Sequence, residues 1–357
     1  MDTVRLTSAA ELVAVLPYEI GFRPRRSVVL VGLRERRLGV VQRVDLTDQP
    51  EAICEISTLS VANLLREGCQ GAIVVGYEDR AGESEALRVA LVGTVVDAGL
   101  DLVDEVVVRD GRLRRPGERL GGAERVPADA DVPAVATFVG LGRSPAPDRE
   151  TLAARVRPAP TPLRAAVDRA VAERARGRGP RAAAAVTWWA AYLDWTAYPP
   201  GGGVAMSATE IARLIVSLRD RRLRDLVIAW LCPGSPPMRL LDSHLVAMAT
   251  GSFRTPTAPR DTEVRGWLSE RLWVLVDHCP DAEAAAVLSV LAAFAWYEGR
   301  GAVAGIAVER ALEVDPGYRL ARLLDRMIRY GIRSTSTDGQ GDTEGAGTGV
   351  ADAPMAG

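Results

Sequence analysis

Arg43 and Asp45 are two residues apart, and Tyr77-Glu78-Asp79 closes a separate apolar run. Residues two apart on a strand share a face, so Arg43 and Asp45 are placed to pair with each other. In open α/β sheets, ligands bind outside the carboxyl ends of the strands, where loops and helix amino ends converge. Arg43, Asp45 and Tyr77 are therefore the candidate ligand-binding residues, contributing to a small polar pocket. A solvated sheet edge with an ordinary arginine–aspartate pair accounts for the same residues without any function. The loop Tyr18 to Pro24 is rich in Gly, Pro and aromatics. It is expected to enter the first strand at the opposite, amino end, so that only its length would bring Arg23 round to these groups.

Other combinations of reactive residues are weaker. Asp242-Ser243-His244 has the residue types of a hydrolase triad, but neighbours along a helix point in different directions. No G-x-S-x-G elbow accompanies it. Cys232, His244, His278 and Cys279 are zinc-ligand types without the paired spacing of a zinc site, so no metal is expected. Gly140-Leu141-Gly142 and Gly201-Gly202-Gly203 do not sit between a strand and a helix as a dinucleotide fingerprint does. No cofactor is implied. Trp188, Tyr192 and Trp195 form one helical stripe, which reads either as a stacking surface or as packed core, and core is favoured. Six arginines between Arg164 and Arg181 face Asp168 and Glu173, without interleaved aromatics. A solvated helix face explains them, and nucleic acid is not the expected partner.

One absence excludes more chemistry than these motifs suggest. The chain has no lysine, so all 44 basic residues are arginine. That removes Walker A loops, Schiff-base amines and Ser-Lys dyads. Residues 1–243 also lack histidine, so no imidazole base or ligand arises within that stretch.

The elements that would position these residues follow from periodicity. Ser8-Ala9-Ala10-Glu11 is a capping box opening a helix that Pro17 is expected to stop. Val28–Leu33, Leu38–Leu46, Ala72–Tyr77 and Leu102–Arg109 read as strands, the first as one buried on both faces. Asp48–Glu51 is a second capping box, with Gly68 as the residue after the helix. Ala86, Leu87, Ala90, Leu91 and Thr94 are the expected inner face of the next helix, and Asp110-Gly111 is a hairpin turn signal. The fold class is thus an α/β N-terminal domain, with a mixed, partly parallel sheet covered by helices, followed by an all-α domain. Within the latter, Ala304, Val308, Ala311 and Pro316 follow the second-helix half of a tetratricopeptide repeat with valine in place of phenylalanine, Gly299 in the turn and Leu288, Leu291 and Ala292 opposite, a single repeat-like hairpin inside a larger bundle.

A chain of 357 residues exceeds one ordinary core. The expected organisation is an α/β domain over 1–112, a Pro/Gly-rich interdomain region over 113–162, a helical domain over 163–330 and a disordered tail over 331–357. A net charge of −2 gives no general attraction to nucleic acid or anionic membrane. The amino terminus lacks a secretory pattern, and no apolar stretch reaches a bilayer span, so a cytoplasmic, non-membrane protein is expected. The four cysteines are scattered and read as reduced thiols, mostly buried.

The opening Leu16-Pro17-Tyr18…Gly21-Phe22-Arg23-Pro24…Ser27 to Leu33 resembles an actinobacterial family known as a domain of unknown function. Arg43-Val44-Asp45-Leu46, Val108-Arg109-Asp110-Gly111-Arg112 and Ala304 to Pro316 continue the likeness. In that family a cysteine-bearing, Pro-rich loop often follows the Asp-Gly-Arg turn. Here the stretch is Leu113-Arg114-Arg115-Pro116-Gly117-Glu118, without cysteine. The favoured expectation is a cytoplasmic adaptor or ligand-sensing protein, with a protein partner on its helical domain and a small ligand on its α/β domain. The alternative is a small-molecule enzyme working without lysine, histidine or metal in the α/β domain.

Overall fold

The computed structural model describes residues 8–35, 37–118, 122–140, 142–175, 182–197 and 206–332. Helix α1 (Ala9–Ile20) starts at Ser8, whose side chain accepts from Glu11 N. It does not stop at Pro17. Proline removes one N–H close to the helix end, while the buried face continues through Leu16, Tyr18 and Ile20. Burial of that face outweighs the missing bond, and the helix ends at Gly21.

Strands β1 (Ser27–Arg34), β2 (Arg37–Asp45), β3 (Gly71–Tyr77), β4 (Asp101–Arg109), β5 (Arg112–Arg114) and β6 (Glu124–Arg125) form one sheet. Their order is β2-β1-β3-β4-β5-β6, and β3–β4 is its parallel pair. Strand β1 is antiparallel to both β2 and β3. Val28 to Val31 are fully buried, as a strand covered on both faces requires. Burying such side chains contributes about 1.5–3 kcal/mol each.

Helices α2 (Pro50–Arg66) and α3 (Glu85–Asp97) cover one face, packing Leu64, Leu87, Leu91 and Val95 on Val28, Leu30 and Val74. Two local expectations shift here. Helix α2 begins at Pro50, with Gln49 before it making no side-chain cap, so Asp48 does not form the capping box. The inner face of α3 runs through Leu87, Leu91 and Val95, while Ala86 is exposed. The run 86–90–94 supplies small residues, and the larger side chains one position on take the core.

The other face is covered by α1, with Leu12, Leu16, Ile20 and Phe22 against Val29, Val31, Val75 and Val106. Asp110 and Gly111 have φ of 51° and 69°, the paired positive values of a tight hairpin turn that Asp-Gly favours. The sheet therefore continues past residue 112, with Leu113 buried in the α1-side core. Helix α4 (Pro133–Gly140) packs Val135 and Phe138 on Val15 and Tyr18 of α1, so β5, β6 and α4 extend the α/β layer into the expected interdomain stretch 113–162.

Helix α5 (Arg149–Ala154) leads into α6 (Pro162–Ala175), α7 (Ala182–Tyr192), α8 (Ala208–Ser217), α9 (Arg221–Leu231), α10 (Ser243–Ser252), α11 (Thr262–His278), α12 (Asp281–Tyr297), α13 (Gly301–Val314) and α14 (Arg319–Arg329). They share one core containing Trp189, Trp230 and Trp273. Of the Trp188–Tyr192–Trp195 stripe, Tyr192 is buried while Trp188 and Trp195 are partly buried against this core; the neighbouring Trp189 is fully buried, its Nε1 donating to Ser217 Oγ at 2.9 Å. Tyr192 OH donates to the Arg271 carbonyl at 2.6 Å. Arg149 Nη2 lies 2.6 Å from both carboxylate oxygens of Glu309, and Arg157 pairs with Glu313, tying α5 and its following turn to α13. The expected tail from 333 onward, and Arg176, Arg178, Arg181 and Gly201-Gly202-Gly203, lie outside the described residues. Among the described residues no helix is long and apolar enough to cross a membrane.

Helices α12 and α13 form a tight hairpin in which Ala304 and Ala311 are fully buried beside Leu288, Leu291 and Ala292. Ala304→Leu or Ala311→Leu should overpack that contact and cost about 1–3 kcal/mol in chemical denaturation. Unchanged midpoints in both variants would mean that the hairpin is not packed as described.

Candidate functional site

Because β1 is antiparallel to both neighbours, its amino end lies at the carboxyl ends of β2 and β3. Ser27 pairs with Asp45 on one side and with Tyr77 on the other. Asp45, Ser27 and Tyr77 thus form one rung, and directly paired residues project to the same face of a sheet. Arg43 stands one rung inward, opposite Val29, on that face as well. All three sequence-derived candidates are brought to the α1 side of one sheet edge. Arg43 and Tyr77 stand two strands apart, roughly 10 Å between backbones, with Ser27 between them.

The approach of the preceding loop differs from expectation. It reaches the carboxyl edge directly, since β1 starts there. Arg23 nevertheless turns away, with Nη2 at 2.6 Å from Asp129, which also accepts from Tyr18 OH at 2.8 Å. Arg43 stays at the edge. Its Nη2 lies 2.5 Å from Asp45 Oδ1 and donates to the Arg25 carbonyl at 3.4 Å. Its guanidinium carbon lies 5.5 Å from the centre of the Phe22 ring, a cation–π distance.

Three polar atoms at this edge are buried without a hydrogen-bonding partner among the described residues: Ser27 Oγ, Arg43 Nε and Tyr77 OH. Burial raises the Tyr77 phenol, so it stays neutral and able to donate. A buried polar group left unpaired costs about 1–3 kcal/mol, and three within two rungs of one sheet face call for an explanation. Ser27 was not singled out in the sequence, because a serine opening an apolar run also suits a plain strand end.

Glu78 follows Tyr77 and, by alternation, takes the opposite face. Its Oε1 accepts from Ser84 Oγ at 2.7 Å and Ser84 N at 3.2 Å, and its Oε2 accepts from Gly82 N at 3.1 Å. Arg109 and Arg114 approach Oε2 at 3.6 and 3.9 Å. The carboxylate therefore pins the turn between β3 and α3. A side chain on Gly76 would place its Cβ 2.5 Å from Ser84 Oγ, so glycine there lets the turn close against the strand. Arg88 pairs with Glu105 beneath it, and burial lowers the Arg88 guanidinium.

Elsewhere the sequence combinations have structural roles. Asp242 caps α10, its Oδ1 accepting from His244 N at 3.0 Å and Leu245 N at 3.1 Å, which accounts for Asp-Ser-His. Cys232 and Cys279 are buried free thiols, and burial pushes Cys232 up to about 12. Among the described residues, no three His, Cys, Asp or Glu side chains are grouped to hold a metal ion. Arg164 lies 3.0 Å from Asp281 and donates to the Cys279 and Pro158 carbonyls, so it binds helix to helix.

Burial alone would raise Asp129, but the hydrogen bonds from Arg23 and Tyr18 outweigh it and hold the carboxyl below its ordinary range. A carboxyl depressed by folding stabilises the protein above its unfolded pKa and loses that contribution as pH falls through the folded value. Asp129→Asn should therefore lower stability near pH 7 by up to about 1 kcal/mol and flatten the loss between neutral and acid pH. An unaltered acid limb in pH-dependent denaturation would show that the Arg23–Asp129–Tyr18 contact contributes nothing.

Comparison with curated proteins and with solved structures finds no match. A family model does match, across residues 10–334, spanning both the sheet and the helical domain. The chain belongs to the family described as Domain of unknown function (DUF4192).

Proposed function

We propose that this protein is a cytoplasmic ligand-sensing protein, whose α/β domain holds a small polar ligand at the β2-β1-β3 edge and whose helical domain presents a surface to a protein partner. The observation that carries this reading is the cluster of buried, unpartnered Ser27 Oγ, Arg43 Nε and Tyr77 OH. Together they offer donors on three adjacent strands to one acceptor-bearing molecule. The Arg43–Asp45 pair holds the guanidinium in place beside Phe22. Binding rather than turnover is favoured because the buried carboxylate at this end of the sheet, Glu78, is committed to the Ser84 and Gly82 amides. It is therefore not poised as a base. In the helical domain, the α12–α13 hairpin with its buried alanines suits a tetratricopeptide-like unit, a kind of structure used to present partner surfaces. Neither nucleic acid nor membrane is part of this reading.

Tyr77→Phe separates the site from the fold. Removing an unsatisfied buried hydroxyl should stabilise the ligand-free protein by about 1 kcal/mol, while weakening ligand retention. The full-length protein, incubated with a metabolite extract and re-purified, should release a small molecule identifiable by mass spectrometry, and the variant should release far less. Equal retention by both proteins would remove Tyr77 from the site. Conversion of the retained molecule during incubation would replace sensing by catalysis.

A further inference from the structure

A second polar site lies in the helical domain, remote in sequence from the sheet edge. The α8–α9 connection, the first turns of α12 and the α13–α14 connection line a cleft of about 550 Å3. That volume is in the range of small-ligand pockets. Four arginines line it, and they divide into two kinds. Arg219 spans both carboxylate oxygens of Glu283, with Nε 3.1 Å from each. Arg224 is buried, bonds Asp225 through Nε and Nη2 at 3.0 and 2.7 Å, and donates to Tyr318 OH at 2.8 Å. Both are committed to the fold. Arg221 and Arg319 are exposed, line the same cleft, and form no ion pair or side-chain hydrogen bond among the described residues. The remaining lining carboxylate, Asp315, accepts from Gly317 N at 2.9 Å.

The two uncommitted guanidiniums come from different elements, Arg221 at the start of α9 and Arg319 at the start of α14. A ligand that engages both needs acceptor oxygens enough for two guanidinium forks. Guanidinium forks match phosphoryl oxygens in geometry as well as charge. The backbone adds to this, since α12 and α14 begin without a side-chain cap and present their amino ends at the cleft. We infer that this cleft binds a small molecule bearing a diphosphate group, with Arg221 and Arg319 each taking one phosphoryl. The buried Arg224–Tyr318 pair forms the wall behind it, and the Arg219–Glu283 pair keeps that carboxylate from repelling the anion. This site is independent of the one proposed on the sheet.

Isothermal titration of the full-length protein with inorganic pyrophosphate, ADP and citrate at fixed ionic strength tests the assignment. Pyrophosphate should bind saturably at one site per chain, and the double variant Arg221→Ser, Arg319→Ser should weaken it at least about tenfold. Because both residues are exposed, the variant should keep the wild-type circular dichroism and melting temperature. Tyr77→Phe should leave pyrophosphate affinity unchanged, which separates this site from the sheet-edge site. ADP binding at least as tightly as pyrophosphate would identify a nucleotide, and weaker ADP binding an inorganic diphosphate, and either upholds the site. No saturable pyrophosphate binding, an unchanged affinity in the double variant, or citrate binding as tightly would overturn it, the last by showing general attraction of anions.

Discussion

Strand β1 runs antiparallel to both of its neighbours, and the arrangement of the whole α/β layer depends on that orientation. A parallel β1 would have sent Ser27 to the far end of the sheet and left Asp45 and Tyr77 with an apolar residue between them. Antiparallel pairing instead sets Ser27 between them in one rung. It also lets the chain leave α1, pass Phe22 and enter the sheet at the edge where β2 and β3 finish. The crossover through α3 then makes β3–β4 the parallel pair and needs a turn tight enough to seat Ser84 against Gly76. Glu78 secures that turn from the face opposite the polar cluster.

Local chemistry made much of this legible in the sequence. Ser8 caps α1 as its spacing to Glu11 implies, the apolar run at Val28–Leu33 is a strand buried on both faces, and Asp110-Gly111 is the tight turn its dipeptide signals. What escaped was set by long-range packing. Proline is a strong local stop, yet the apolar face of α1 carries through Pro17 because its neighbours are buried by α4 and the sheet. The direction of β1 cannot be read from alternation, since parallel and antiparallel buried strands share one pattern. Arg23 finds Asp129 more than a hundred residues away, and no local spacing announces that pair. For the candidate site, Arg43, Asp45 and Tyr77 could be named from strand ends, whereas Ser27 emerged only from register.

Arginine serves throughout as a structural cation. Arg265 bonds Glu298 through Nε at 2.8 Å and the Leu231 carbonyl at 2.7 Å, while its plane lies over Phe294 and Tyr297. Arg155 lies 4.1 Å from the centre of the Trp273 ring. A planar group with five donors can satisfy a carboxylate, a carbonyl and an aromatic face at once, which an ammonium cannot. In a lysine-free chain such groups carry much of the contact between helices. Arg221 and Arg319 instead line one cleft without partners among the described residues, and the sheet edge holds unpaired buried polar atoms. Both lie where several elements end together, the sheet-edge atoms buried and the two arginines exposed.

The account rests on the polar atoms of Ser27, Arg43 and Tyr77 being kept for a molecule that is not part of the chain. A high-resolution crystal structure of the full-length protein, purified without stripping bound metabolites, addresses that most directly. Electron density larger than a water molecule, within hydrogen-bonding distance of Ser27 Oγ and Tyr77 OH, is the predicted result. Hydrogen bonds from both hydroxyls to protein groups, or to one ordered water with no further density, would contradict it.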